Sequence, residues 1–271
     1  MPELPEVETI KRVLSHNLMN QTVRSIDLYY QPLLENESYE LSRLEQSQFV
    51  GFERRGKYLI FNFSNGLSWI VHLRMEGKFH LYDTYQPKSK HTHLILITEK
   101  THVHYLDTRK FSRMAVVDDV DAYFEKRNLG LEPFDPKLNV AYLKRKLKNR
   151  TLAVKAFLLD QTVITGIGNI YADEILYRTK LHPQSSVKRL KTKDLEHIIL
   201  NTQAVLEKAI DEGGTTIRSY TSSLGVSGRF QVSLQAYGRF NQPCLRCGTL
   251  MAKVKVAQRT SVFCPTCQRV R

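Results

Sequence analysis

The sequence predicts an α+β chain, with an antiparallel β-sandwich or barrel, the sandwich preferred, followed by helices and a metal-pinned hairpin. Three observations carry this reading. Strand-like apolar patterns crowd residues 23–117, helical spacing takes over beyond 136, and all four cysteines fall in the last 28 of 271 residues.

The first element is a helix over residues 5–20. Val7, Ile10, Leu14 and Leu18 recur at helical spacing, and Pro5 suits a first turn whose N–H groups have no partner. Residues 58–63 are β-rich, Ser64-Asn65-Gly66 signals a turn, and Trp69, Val71, Leu73 and Met75 then alternate. A second hairpin joins 93–97 to 102–106. Between 118 and 136, Gly130, Pro133 and Pro136 suggest an interdomain linker.

Helices follow. Leu143 and Leu147 share a face in a strongly basic segment, and residues 152–160 form a short apolar helix. Thr165-Gly166-Ile167-Gly168-Asn169 breaks it, and 170–179 resumes. Leu195, Ile198, Ile199, Thr202, Leu206, Ala209 and Ile210 trace a long helix ended by Gly213-Gly214. Residues 215–229 are polar and read as a mobile loop, and strands around the cysteines complete the chain. The domains expected are 1–132, 133–229 and 230–271.

Hydrophobic content of 42% and charged content of 25% describe a soluble globular protein. No apolar run approaches the roughly 20 residues that span a bilayer, and the start lacks an apolar signal core, so a cytoplasmic protein is expected. Forty basic against 27 acidic residues give +13. That field favours a polyanion, with nucleic acid foremost, and the charge alone also allows a ribosomal or membrane-surface protein.

Cys244-x2-Cys247 and Cys264-x2-Cys267 form the firmest local motif. In an intracellular chain this spacing points to one structural zinc held by four thiolates, with no open position for catalysis. A disulfide or redox pair is the alternative. Residues 242–271 contain no acidic residue, which suits phosphate contact or a solvated basic tail. The glycine turn before Asn169 places free N–H groups at a helix start, a weak phosphate signal when taken alone. Met75 and Phe111 stand beside cations, as base-stack wedges do, although a core role is the default for such residues. Arg54-Arg55-Gly56-Lys57 reads as a basic, solvated edge.

The opening Met1-Pro2-Glu3-Leu4-Pro5-Glu6-Val7-Glu8 offers a candidate chemistry. Removal of Met1 would free the Pro2 amine, and about a tenth of such amines are unprotonated at neutral pH. A secondary amine condenses with an aldehyde-like carbon to give an iminium, and Glu3 offers a proton donor beside it. On pattern alone the default is the bland reading, a helix start whose carboxylates complement the dipole, and the rest of the chain reverses that order.

Pro2-Glu3-Leu4-Pro5-Glu6-Val7-Glu8-Thr9, Lys57-Tyr58-Leu59, His72-Leu73-Arg74-Met75, Lys90-His91-Thr92-His93, Gly168-Asn169-Ile170-Tyr171 and the two cysteine pairs occur in one order. Over essentially the whole chain this resembles the bacterial formamidopyrimidine-DNA glycosylases, a family of helix–two-turn–helix repair enzymes. The resemblance implies a base-excision glycosylase and abasic-site lyase acting on oxidised purines, chiefly 8-oxoguanine and formamidopyrimidines, in duplex DNA. It implies Pro2 as the nucleophile that attacks the anomeric carbon of the damaged nucleotide, and Glu3 as general acid at the sugar. Lys57 and Arg259 would be proton donors for β- and δ-elimination. Glu6 would lie near the flipped base, Met75, Arg109 and Phe111 would fill the gap it leaves, and Arg109 would face the orphaned cytosine. His91, Arg150 and Asn169 would contact phosphates, Arg150 lying where the family's spacing varies. Residues 215–229 would close over the extruded base.

The implied partner is double-stranded DNA with oxidised bases or abasic sites, met by a monomer that needs one structural Zn2+ and no catalytic metal. Gln258 and Thr260-Ser261 depart from the small residues common beside Arg259, which puts hairpin flexibility in question. A sister family acting on oxidised pyrimidines shares Pro2-Glu3, but Leu4 and the long 215–229 loop favour the purine branch. A non-catalytic DNA-binding zinc protein is the third reading, and intact Pro2, Glu3, Lys57 and Arg259 argue against it.

Overall fold

The computed structural model describes residues 2–36, 38–215 and 229–271. Met1 and residues 216–228, the bulk of the expected mobile loop, lie outside them. The chain divides into two compact units, Met1–Arg127 with Gly213–Gly228, and Asn128–Glu212 with Arg229–Arg271.

The first unit opens with α1 (Leu4–Leu18), capped by Glu3 with Pro5 in its first turn. Val7, Ile10, Leu14 and Leu18 are buried in the core, as their spacing predicts. Strands β1 (Val23–Leu28), β2 (Phe49–Arg55), β3 (Tyr58–Phe63), β4 (Ser68–His72), β5 (Lys78–Tyr82), β6 (Thr92–Thr98), β7 (His102–Leu106) and β8 (Arg113–Val117) follow. They form two antiparallel sheets in the orders β1-β6-β7-β5 and β2-β3-β4-β8. Leu59, Phe61 and Phe63 on alternate positions of β3 join Trp69 and Val71 in one core with Phe79, Leu94, Leu96, Val103 and Tyr105 of the other sheet. Each such side chain contributes about 1.5–3 kcal/mol by leaving water, which makes this core the frame on which exposed loops are held.

Two expectations for this unit change. The segment expected to be a linker begins as α2 (Val120–Glu125), capped by Asp119, whose carboxylate accepts the Ala122 N–H at 2.9 Å. Its Tyr123 covers Ile60, Ile70 and Ala115, residues pointing away from the main core. Met75 is not on a strand. β4 ends at His72, and residues 73–77 turn the chain from one sheet to the other, closed by Gly77 N–H to the Leu73 carbonyl at 3.0 Å. Only glycine fits there, because a Cβ on Gly77 would sit 2.1 Å from the Tyr105 hydroxyl and 2.6 Å from Ser112 Oγ.

The second unit contains α3 (Val140–Leu147), α4 (Val154–Leu159), α5 (Asn169–Thr179), α6 (Thr192–Asp211) and a hairpin of β9 (Ala252–Val256) with β10 (Arg259–Phe263). The four helices lie where the sequence predicts them. Residues 230–250, expected to contribute strands, hold the 3-10 turn Phe230–Ser233 and an isolated antiparallel bridge between Pro243 and Leu250.

α5 is the hub of this unit. Its Asp173 forms a fully buried ion pair with Lys155 of α4 at 2.6 Å and accepts the Val262 N–H of β10 at 3.0 Å. Its Glu174 carboxylate accepts the N–H groups of Gln235, Ala236 and Tyr237 at 3.0, 2.8 and 2.9 Å. These bonds offset the cost of burying the charges, and loss of either partner of the ion pair would strand the other.

Candidate active site

Most of the predicted site residues outside the cysteine module lie in the first unit. Pro2 and Glu3 are buried at the start of α1, so the Pro2 nitrogen and the Glu3 carboxylate are held by a rigid element. Glu6 is tied on both oxygens: Oε2 accepts the Glu3 N–H at 2.8 Å, and Oε1 accepts the Thr215 N–H at 2.9 Å and its hydroxyl at 3.0 Å. Gly214 makes that approach possible. It sits at φ +76°, and a Cβ there would come within 2.9 Å of Glu6 Oε1.

Lys57 occupies the tip of the β2–β3 hairpin and is only 7% exposed. Arg55 pairs with Tyr58, so the loop is Gly56-Lys57, and Gly56 supplies the left-handed φ of +57° that such a turn needs. Arg54, expected at a solvated edge, is instead a clamp. Its Nε lies 3.1 Å from Glu8 Oε2 on α1, and its Nη1 donates to the Gly56 carbonyl at 3.0 Å. One guanidinium therefore links the helix bearing Pro2 to the turn bearing Lys57. Burial works to raise the Glu8 carboxyl, but the Lys11, Arg54 and Arg12 cations around it prevail and hold it below the usual range.

His72, paired across the sheet with Tyr58, stands between Lys57 and the Met75 turn. Burial, then the positive charges of Arg74, Lys57 and Arg127, depress its pKa to about 3. The neutral ring accepts the Arg74 N–H on Nδ1 at 3.0 Å, which helps hold Arg74 at φ +52°.

A second organiser is Asp107, buried at the end of β7. Its carboxylate accepts N–H from Arg109 at 3.0 Å and from Ser112 at 2.9 Å, and the Ser112 hydroxyl at 2.7 Å. Burial would raise its pKa, but the bonds from Ser112, Arg109 and Lys110 outweigh it and hold the group below the usual range. The Ser112 hydroxyl also reaches the Leu73 carbonyl at 3.0 Å, which ties the Arg109–Phe111 loop to the Met75 turn. The Asp107 N–H bonds the His91 carbonyl at 3.1 Å, bringing His91 to the same end. Phe111 is 49% exposed with the Arg109 guanidinium 4.8 Å from its ring centre, and Met75 is half-buried. The core role that is the default for Phe111 is thereby excluded.

In the second unit Arg150 pairs with Asp160 at 2.6 Å, so its charge is already engaged. Asn169 starts α5 and donates to the Thr260 carbonyl at 3.2 Å. Arg259 is exposed and opens β10 directly after Ala257 and Gln258, at φ +47° and +58°. Two left-handed residues without glycine make this a strained turn, and that strain is what the departure at Gln258 means structurally.

The sulfurs of Cys244, Cys247, Cys264 and Cys267 all lie within 4.8 Å of one another. Zinc–sulfur bonds near 2.3 Å require tetrahedral sulfur–sulfur distances of about 3.8 Å. The Cys247–Cys264 pair, at 3.5 Å, is close to that, and the cluster fits one structural zinc. None of the described helices is long and apolar enough to cross a membrane.

Arg54, Asp107 and Ser112 carry no signal in the sequence that marks them as organisers of a site, and His72, although it stands in a motif of the resemblance, has no role implied there. Their partners are distant in the chain, as Ser112 and Leu73 illustrate.

Comparison with known proteins supplies three family matches. Residues 1–114 match the formamidopyrimidine-DNA glycosylase N-terminal domain, 129–221 the H2TH domain of that enzyme, and 241–270 the zinc finger found in FPG and IleRS. The formamidopyrimidine-DNA glycosylase of Lactiplantibacillus plantarum is 40% identical, covering 100% of both chains, and that of Ligilactobacillus salivarius is 42% identical, again over 100% of both. Among solved structures, a complex of the Lactococcus lactis Fpg with abasic-site DNA superposes with TM-score 0.93 at 38% identity, covering 98% of this chain and 99% of that one. A complex between a mutant of the same enzyme and DNA containing Fapy-dG gives TM-score 0.93 at 37% identity, over 99% and 100%.

Proposed function

Because this chain belongs to the formamidopyrimidine-DNA glycosylase family, we propose that it excises oxidised purines from duplex DNA and then cleaves the strand at the abasic site. The observation that carries this reading is the buried Pro2-Glu3 start of α1, joined through Glu8 and Arg54 to the turn that bears Lys57. A base within a duplex is out of reach of an amine fixed on a helix, so the nucleotide must be flipped, at a cost of a few kcal/mol. Exposed Phe111, with Arg109 over its ring, and the half-buried Met75 are suited to occupy the gap and offset that cost.

In this reading Met1 is removed and the Pro2 nitrogen attacks the anomeric carbon. Glu3 donates a proton at the sugar, the base leaves, and an iminium joins Pro2 to the opened sugar. Lys57 then serves as proton donor in β-elimination of the 3′ phosphate, and Arg259 in δ-elimination of the 5′ phosphate. Glu6 lies near the flipped base, and Arg109 faces the orphaned cytosine. His91 and Asn169 contact phosphates, as does Arg150, which then exchanges Asp160 for the anion. The zinc is structural.

Borohydride trapping tests the proposal. Incubation with an 8-oxoguanine duplex and borohydride should give a covalent protein–DNA adduct, since reduction captures the iminium. The same Lactococcus lactis enzyme has also been solved with DNA containing an oxidised pyrimidine, so a thymine glycol duplex belongs in the same assay. Stronger trapping on thymine glycol would favour the pyrimidine reading, and tight binding with no adduct on either duplex would sink both. An N-terminal extension should abolish trapping while binding persists; normal cleavage by such a protein would exclude Pro2 as nucleophile.

A further inference from the structure

Residues 169, 173 and 177 stand four apart on α5, the spacing that stacks side chains along one stripe of a helix. All three address the cysteine module. Asn169 donates to the Thr260 carbonyl at 3.2 Å, Asp173 accepts the Val262 N–H at 3.0 Å, and the Tyr177 hydroxyl lies 3.3 Å from Cys244 Sγ. The first two hold the backbone of β10. The third meets a metal ligand directly.

Tyr177 is completely buried, and a buried phenol needs a hydrogen-bond partner. A cysteine bound to zinc is a thiolate with no proton to give, so with the metal in place the phenol is the donor. Arg246 supports the arrangement from the other side. Its N–H lies 3.4 Å from the same sulfur, its guanidinium is 4.2 Å from the centre of the Tyr177 ring, and Nη1 donates to the Tyr177 carbonyl at 2.7 Å. Four thiolates on one Zn2+ carry two excess negative charges, which donors to sulfur stabilise. Cys264 accepts the Cys267 N–H at 3.3 Å, within the module. Cys244 has a donor from a helix outside it.

We propose that Tyr177 is a positioning residue of the zinc centre: its hydroxyl donates to the Cys244 thiolate, so that α5 helps retain the metal. The zinc hairpin is then held to the helical part of its unit through the ligand sphere as well as through the β10 backbone. The benzene ring alone would fill the same space without this effect, which makes the hydroxyl separable from packing.

The test is Tyr177→Phe in the full-length zinc-loaded protein, with Tyr142→Phe as control. The control also deletes a hydroxyl from this unit, one that donates to the Val163 carbonyl at 2.8 Å. Zinc release to an excess of a chromogenic chelator is followed, and the charge-transfer band is recorded after cobalt(II) replaces zinc. Loss of an outer-sphere partner weakens metal binding by roughly 10–100-fold. Tyr177→Phe should accordingly release zinc at least about ten times faster, and its cobalt band should move to longer wavelength, because a thiolate without a donor gives up an electron more readily. Tyr142→Phe should change neither. Unchanged release from Tyr177→Phe overturns the proposal whatever the band does, and faster release with an unmoved band overturns it as well, since that pattern reports lost packing.

Discussion

Replacing His72 with glutamine should remove a specific acid sensitivity from the first unit. The native imidazole is 9% exposed, lies near the Arg74, Lys57 and Arg127 cations, and does not take a proton until about pH 3. In the unfolded chain it takes one near pH 6.5. A folded-state pKa below the unfolded value gives stability that is complete above pH 6.5 and is lost as pH falls from there towards 3. Each pH unit within that window costs about 1.4 kcal/mol for one proton, so the loss between pH 8 and pH 5 is about 2 kcal/mol. Forced protonation would also remove the Nδ1 lone pair that accepts the Arg74 N–H. The assay is urea unfolding at both pH values followed by Trp69, the single tryptophan of the chain, which is 2% exposed in the core of this unit. Wild type should lose about 2 kcal/mol more than His72→Gln between the two conditions. His80 and His104, whose burial also lowers their pKa values, are present in both proteins and cancel. Equal losses in the two proteins would refute the reasoning, because His72 would then titrate alike folded and unfolded.

Arg54→Met should leave lesion-DNA affinity within about two-fold while slowing borohydride trapping about ten-fold or more, because it severs the Glu8–Gly56 clamp without touching a phosphate-facing cation. Equal trapping rates would show that α1 and the Lys57 turn hold their positions without it. Gly214→Ala places a Cβ 2.9 Å from Glu6 Oε1 at φ +76°, so urea unfolding monitored by Trp69 should show a loss of about 1–3 kcal/mol. The double change Ala257→Asn and Gln258→Gly supplies the residues a turn with two left-handed positions prefers. It should stabilise the second unit by about 1–2 kcal/mol in calorimetry, and an unchanged melting temperature would mean that the turn carries no strain.

Periodicity and local punctuation made the regular elements legible. β3 spans the 58–63 predicted for it, the long helix stops before Gly213-Gly214, and Cys-x2-Cys spacing announces its own tetrahedron, because each of these signals is written within a few neighbouring residues. The alternation through Met75 misled, since Leu73 does go to the core while the chain turns beneath it to change sheets. α2 was hidden because its six residues are too short to establish a helical period, and its existence depends on the apolar outer face formed by Ile60, Ile70 and Ala115.

Residue types and their order along the chain were enough to carry the family resemblance: a proline and a glutamate ahead of a helix, four cysteines in two knuckles, an excess of positive charge. Those properties are local or additive, so they survive without coordinates. The links among them do not. Arg54 could be a solvated cation or the clamp between α1 and the Lys57 turn, and Tyr177 could be core or a partner of Cys244. Long-range packing chooses, because a hydrogen bond between residues 46 or 67 positions apart forms only where the core has already brought the backbones together.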